Sequence, residues 1–142
     1  MIVQSGNDAS VALAEHTAGT ESVFAQVMNQ YAAQLGMTAS NFKNTTGLPD
    51  ADHYSSARDV AILARAIIKE FPQYYDWYSV KSYKYNDIEQ QNRNALLFRD
   101  ESVDGMKTGR TDEAGYCLVS SAERDGMRII SVVLGTASAK SR

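Results

Sequence analysis

Two short stretches of this chain carry side chains suited to holding a small anionic peptide end. The first is Lys107-Thr108-Gly109, inside Val103-Asp104-Gly105-Met106-Lys107-Thr108-Gly109. Lys107 offers a positive charge and Thr108 a hydroxyl, which together hold a carboxylate or assist proton transfer. On a strand, Lys107 and Gly109 face one way and Thr108 the other. A glycine on an edge strand leaves room for a second backbone to lie alongside, as a bound peptide requires. The second stretch is Ser5-Gly6-Asn7. Serine can relay a proton and asparagine can hold a peptide carbonyl, whereas the plainest reading of the triplet is a helix cap. Each triplet alone is unspecific.

The elements that must position these residues change character along the chain. Asn7 or Asp8 caps a helix running to about Thr17, with Val11, Ala12 and Leu13 as its apolar positions, and Gly19-Thr20 breaks it. A second helix starts near Glu21. Its Val23, Phe24, Val27, Met28, Tyr31 and Leu35 fall at helical spacing, and Gly36 stops it. Residues 37–55 are dense in Thr, Asn, Ser, Gly, Pro and Asp and read as a loop. Ser56 opens a third helix with Asp59 as a weaker form of the capping box, Val60, Leu63, Ala64, Ile67 and Ile68 as its apolar stripe, and Pro72 at its end. Val80–Tyr85, Gly115–Glu123 and Met127–Thr136 read as strands, the last two joined by a hairpin at Asp125-Gly126. The order predicts one α+β domain, approximately 1–79 helical and 80–142 sheet.

Composition narrows the function classes. The 142 residues hold 14 Lys and Arg against 17 Asp and Glu, a net charge of −3 with no long basic stretch, which argues against a duplex nucleic-acid binder. Apolar residues at 44% and charged residues at 22% fit a globular chain rather than a disordered one. The most apolar run, Ile129–Leu134, is far shorter than the ~20 residues a membrane helix needs. Met1–Ser5 has no basic region and does not read as a signal peptide. One cysteine, Cys117, excludes an internal disulfide and a cysteine-based zinc site, and two histidines leave little for a histidine-rich one. No metal or other cofactor is expected. Cys117 reads as a packed thiol, His16 has no visible partner, and His53 reads as structural or exposed. The aromatic cluster Tyr74–Tyr85 reads as packing before it reads as a glycan platform, and the sequon Asn44-Thr45-Thr46 carries no function here.

Serine acyl-transfer enzymes of the penicillin-recognising group carry S-x-x-K, a Ser-x-Asn triplet and Lys-Thr-Gly in that order. The last two occur here in that order, about a hundred residues apart. Gln4-Ser5-Gly6-Asn7-Asp8-Ala9, Tyr54-Ser55-Ser56-Ala57-Arg58-Asp59, Asn92-Arg93-Asn94, Val103–Gly109, Gly115-Tyr116-Cys117-Leu118 and Ile130–Gly135 extend the match. Over nearly its whole length the chain resembles the low-molecular-mass penicillin-binding proteins, more closely the serine-type D-alanyl-D-alanine carboxypeptidases of penicillin-binding protein 5/6 type.

The resemblance implies a partial transpeptidase fold of the penicillin-binding protein and serine β-lactamase kind, a helical lobe followed by antiparallel strands. It implies removal of the terminal D-alanine from peptidoglycan pentapeptides through an acyl-serine, inhibition by β-lactams, and a periplasmic or envelope setting for the parent protein. It makes Ser5 a proton relay, Asn7 the holder of the substrate carbonyl, Lys107 and Thr108 the anchors of the terminal carboxylate and Gly109 the gap for the backbone. Arg93 and Arg142 stand where such proteins carry arginines near that carboxylate. The nucleophile's S-x-x-K motif belongs upstream of Ser5, where only four residues stand. The literal match Ser40-Asn41-Phe42-Lys43 lies in loop-forming sequence on the wrong side of Ser5, so no nucleophile is assigned. Arg110, directly after Gly109, stands where many relatives carry a smaller or neutral residue. The chain therefore reads as an excised middle segment, inactive alone, with bare apolar faces and an edge strand open to self-association. The competing readings are a class A-like β-lactamase, disfavoured by Ser-Gly-Asn in place of Ser-Asp-Asn, and a non-catalytic muropeptide-binding module.

Overall fold

The computed structural model describes residues 1–142. Three long helices come first: α1 (Asn7–Ala18), α2 (Glu21–Leu35) and α3 (Ala57–Glu70). Gly19, at φ 82°, closes α1, and the Thr20 hydroxyl caps α2 by accepting from the Val23 N–H. Gly36 ends α2 in the left-handed conformation that favours glycine. The Ser56 hydroxyl caps α3 by accepting from Asp59 N–H. The short helix α4 (Pro72–Tyr75) begins on the proline that stops α3 and runs into a 3₁₀ turn, Asp76–Ser79.

The strands form two antiparallel sheets. β1 (Ser82–Tyr85) pairs with β2 (Ile88–Gln91) as a separate hairpin. A 3₁₀ turn, Ala95–Phe98, leads to β3 (Val103–Thr111), β4 (Gly115–Arg124) and β5 (Met127–Thr136), which lie side by side in chain order. Asp125 and Gly126 both take positive φ, the geometry of a tight hairpin between β4 and β5. β3 is an edge strand, and it carries the Lys-Thr-Gly triplet.

α3 lies against β4 and β5, while α1 and α2 pack on each other. The main apolar nucleus joins Ala64 of α3, Tyr75 of α4 and Met106 of β3, with Ile67, Ile68, Tyr78, Val119 and Ile130 around them. Only 15 of the 142 residues are fully buried, so much apolar surface stays open.

Three local expectations are corrected. The N-terminus of α1 has Gly6 at its cap position with no side-chain cap bond, so neither Asn7 nor Asp8 caps it. The apolar side of α1 is Ala14 rather than Leu13, which is 52% exposed, and Val23, Val27 and Tyr31 of α2 also face outward. β2 was not expected from its sequence. Its turn, Asn86-Asp87, has positive φ at both residues, a conformation that Asn and Asp tolerate better than most side chains.

Candidate functional site

A cleft of about 730 Å³ opens between the start of α1, the 37–55 loop and the edge strand β3. Ser5, Asn7, Arg93, Lys107, Thr108, Gly109 and Arg142 all line it. The two triplets, far apart in sequence, therefore share one surface. Lys107 Nζ donates to Ser5 Oγ directly across the cleft, and to the Thr108 carbonyl at 2.8 Å.

Each side chain arrives there for a local reason. Ser5 sits at φ 60° in the turn that opens α1, with its N–H donating to the Met1 carbonyl at 2.8 Å. Because the triplet does not cap the helix, its serine is free to meet Lys107. β3 is held from behind at residues just before Lys107. The Asp104 carboxylate accepts from Tyr75 Oη at 2.7 Å and pairs with Arg128, whose guanidinium also reaches Ser121 and Glu123. Burial opposes ionisation of Asp104, but the hydrogen bonds from Arg128 and Tyr75 outweigh it and hold the carboxyl below its ordinary range. Burial pushes the Tyr75 phenol upward. One residue on, the Gly105 carbonyl accepts from Nδ2 of Asn94, which is 1% exposed. Asn92 N–H donates to the Lys81 carbonyl and its side chain to that of Val80, so Arg93 is carried into the cleft between two buried asparagines.

The electrostatics are one-sided. Burial lowers the Lys107 ammonium from 10.5 to about 8, and the positive charges of Arg93 and Arg142 add to the effect. Lys107 thus stays mostly charged at neutral pH but gives up its proton far more readily than an ordinary lysine. Arg142 Nη1 donates to the Gly109 carbonyl at 3.2 Å. An added Cβ at Gly109 would meet only Cys117 Cβ, at 3.8 Å, so the strand leaves space at this point.

Ser40 lies away from helical geometry. Its hydroxyl donates to Asp59 at 2.7 Å and exchanges a bond with Ser55 at 2.8 Å. Asp59, expected as part of a capping box, instead binds Ser40 and the Ala39 N–H and ties the loop to α3. Sequence reasoning also missed the cleft wall formed by Asn44–Leu48. The Glu21 carboxylate anchors it by accepting from the N–H and hydroxyl of Thr45, which hold that carboxyl below its ordinary value. The density of Asn and Thr was the available signal, since such side chains bond neighbouring backbone and shape loops. His53 and Tyr78, read as structural, also border the cleft.

The family model of the D-alanyl-D-alanine carboxypeptidases matches residues 1–138. The chain belongs to this family. It is 50% identical over 144 residues to D-alanyl-D-alanine carboxypeptidase DacA of Haemophilus influenzae, a match covering all of this chain and 37% of that relative. Penicillin-binding protein 5 from Haemophilus influenzae superposes with a TM-score of 0.95 at 50% identity, covering 99% of this chain and 42% of that one. Penicillin-binding protein D2 from Listeria monocytogenes, solved in a cefotaxime-bound form, gives a TM-score of 0.91 at 34% identity, over 100% of this chain and 58% of that one. The chain thus spans less than half the length of its Haemophilus carboxypeptidase relative, and the α+β fold expected from its sequence is the fold of the catalytic penicillin-binding proteins.

Proposed function

We propose that this chain supplies the substrate-holding part of a serine-type D-alanyl-D-alanine carboxypeptidase that acts on peptidoglycan stem peptides in the periplasm or cell envelope and binds β-lactams. The observation that carries this reading is the shared cleft, with Lys107 donating to Ser5 beside Asn7, Thr108 and Gly109. In it, Lys107, Thr108, Arg93 and Arg142 bind the terminal carboxylate. Asn7 holds the penultimate carbonyl, Gly109 lets the peptide backbone lie close, and Ser5 relays the proton to the leaving amine. A lysine that titrates near 8 suits that relay, because it gives up and regains a proton at small cost near neutral pH.

Acyl transfer also needs a serine with an adjacent base and donors aimed at the developing oxyanion. Ser40 is committed to Asp59 and Ser55, and Ser5 fills the relay position, so this chain alone binds a carboxylate end without forming an acyl-enzyme. Intact-mass measurement after incubation with excess benzylpenicillin tests this. The expected spectrum is unmodified protein, and a stoichiometric adduct on Ser5 or Ser40 would overturn the assignment. Open apolar side chains such as Ile129 and Met127, at 58% and 64% exposure, together with the edges of the sheet, favour self-association.

A further inference from the structure

Four cationic side chains line the cleft, those of Arg93, Lys107, Arg110 and Arg142, and no aspartate or glutamate does. The chain as a whole is net negative, so this concentration is local. One terminal carboxylate accounts for Lys107 and the two arginines whose charges reach it. Arg110 is left over.

Its place on β3 says what it faces. Arg110 lies three residues beyond Lys107, about 10 Å along a strand at ~3.3 Å per residue. An extended peptide paired along this edge, with its terminal carboxylate at Lys107 and Thr108, sets its penultimate residue beside Gly109. The residue before that falls beside Arg110. The Arg110 guanidinium is braced there, 5.2 Å from the centre of the Tyr116 ring and 2.7 Å from Asp112 Oδ1. The Arg142 guanidinium packs on the same ring at 5.5 Å. Asp112 is 87% exposed and outside the cleft lining, so its hold on Arg110 is the weak, screened kind, and a guanidinium has further N–H groups to offer.

We propose that Arg110 is a specificity-determining residue that binds a second carboxylate, borne by the side chain of the third residue from the C-terminus of an extended peptide. The inference rests on the carboxylate-end reading above and adds to it the class of peptide preferred: one with a second anionic group two residues before its C-terminal residue. Arg110 and Arg142, braced on Tyr116, form the far end of the site, and Asp112 holds Arg110 in place until the ligand's carboxylate competes for it.

The test compares acetyl-Glu-D-Ala-D-Ala with acetyl-Gln-D-Ala-D-Ala, near-isosteric peptides that differ in one charge. Each is titrated into the full chain at low ionic strength and followed by NMR shifts. The glutamate peptide is expected to bind about three to ten times more tightly. Arg110→Gln brings that ratio close to one, Asp112→Asn raises it by removing the internal competitor, and about 0.5 M NaCl shrinks it. A ratio near one in the unaltered chain, or a ratio unchanged in Arg110→Gln, overturns the inference. Saturable binding of both peptides without a preference sinks this inference alone. No saturable shift with either peptide sinks the carboxylate-end reading and this inference with it.

Discussion

The two walls of the cleft are built in different ways. The β3 wall is pinned from behind by buried or half-buried polar bonds: Asn94 to the Gly105 carbonyl at 3.0 Å, and Tyr75 and Arg128 to Asp104 at 2.7 Å each. The Ser5 wall hangs on the turn bond from Ser5 N–H to Met1 and on an exposed bond from Gln4 Nε2 to the Gln91 carbonyl at 2.6 Å. Polar bonds out of water are costly to leave unmade, whereas exposed ones exchange readily with solvent. Lys107 is therefore fixed by its scaffold, and Ser5 is placed chiefly by meeting Lys107.

This contrast breaks most visibly at Arg128. Arg128→Ala strips Asp104, Ser121 and Glu123 of a shared partner and removes the cation 5.4 Å from the Tyr75 ring centre. A loss of about 3 kcal/mol in unfolding free energy by denaturant titration is expected. A change under about 1 kcal/mol would mean the β3 wall is not held this way. Gly105→Ala attacks the same wall sterically. Its Cβ would stand 2.6 Å from Tyr75 Oη, which cannot retreat without losing Asp104, and the expected cost is about 2 kcal/mol.

A smaller effect comes from pH. Lys107 has a lower pKa folded, about 8, than unfolded, 10.5. Below about 8 it is charged in both states and its burial cost is fully felt. Between the two values the unfolded chain binds more protons, so stability rises with pH, and above 10.5 the gain is complete. A rise of about 1 kcal/mol is expected after allowance for its partial exposure. Lys107→Met should lack that slope, and subtracting the two curves isolates the contribution of Lys107. The smallest effect belongs to the other wall. Ser5→Ala should leave stability within about 0.5 kcal/mol while shifting the Lys107 titration, and a large loss of stability would show the Ser5 wall to be structural after all.

The same division governs what was legible in the sequence. The triplets, the helix stops at Gly19, Gly36 and Pro72, and the Asp125-Gly126 hairpin are written in local residue types whose physics acts over a few positions. The supports of β3 are not. Asp104, Asn94 and Arg128 look like ordinary surface residues until the fold places Tyr75 and Gly105 against them. Asp59 and Glu21 likewise matched helix-start signals, yet their carboxylates serve the 37–55 loop across 19 to 24 residues. Outward Leu13, Val23 and Val27 defeated the periodicity argument, because helical spacing marks an apolar stripe without saying what covers it.

The most direct test of the shared cleft follows the Lys107 ammonium itself by NMR, with and without acetyl-D-Ala-D-Ala. The free chain should show a midpoint near 8, and the bound carboxylate should move it upward by stabilising the charged form. A midpoint at the ordinary 10.5, unmoved by the dipeptide, would contradict both the geometry of the cleft and the function drawn from it.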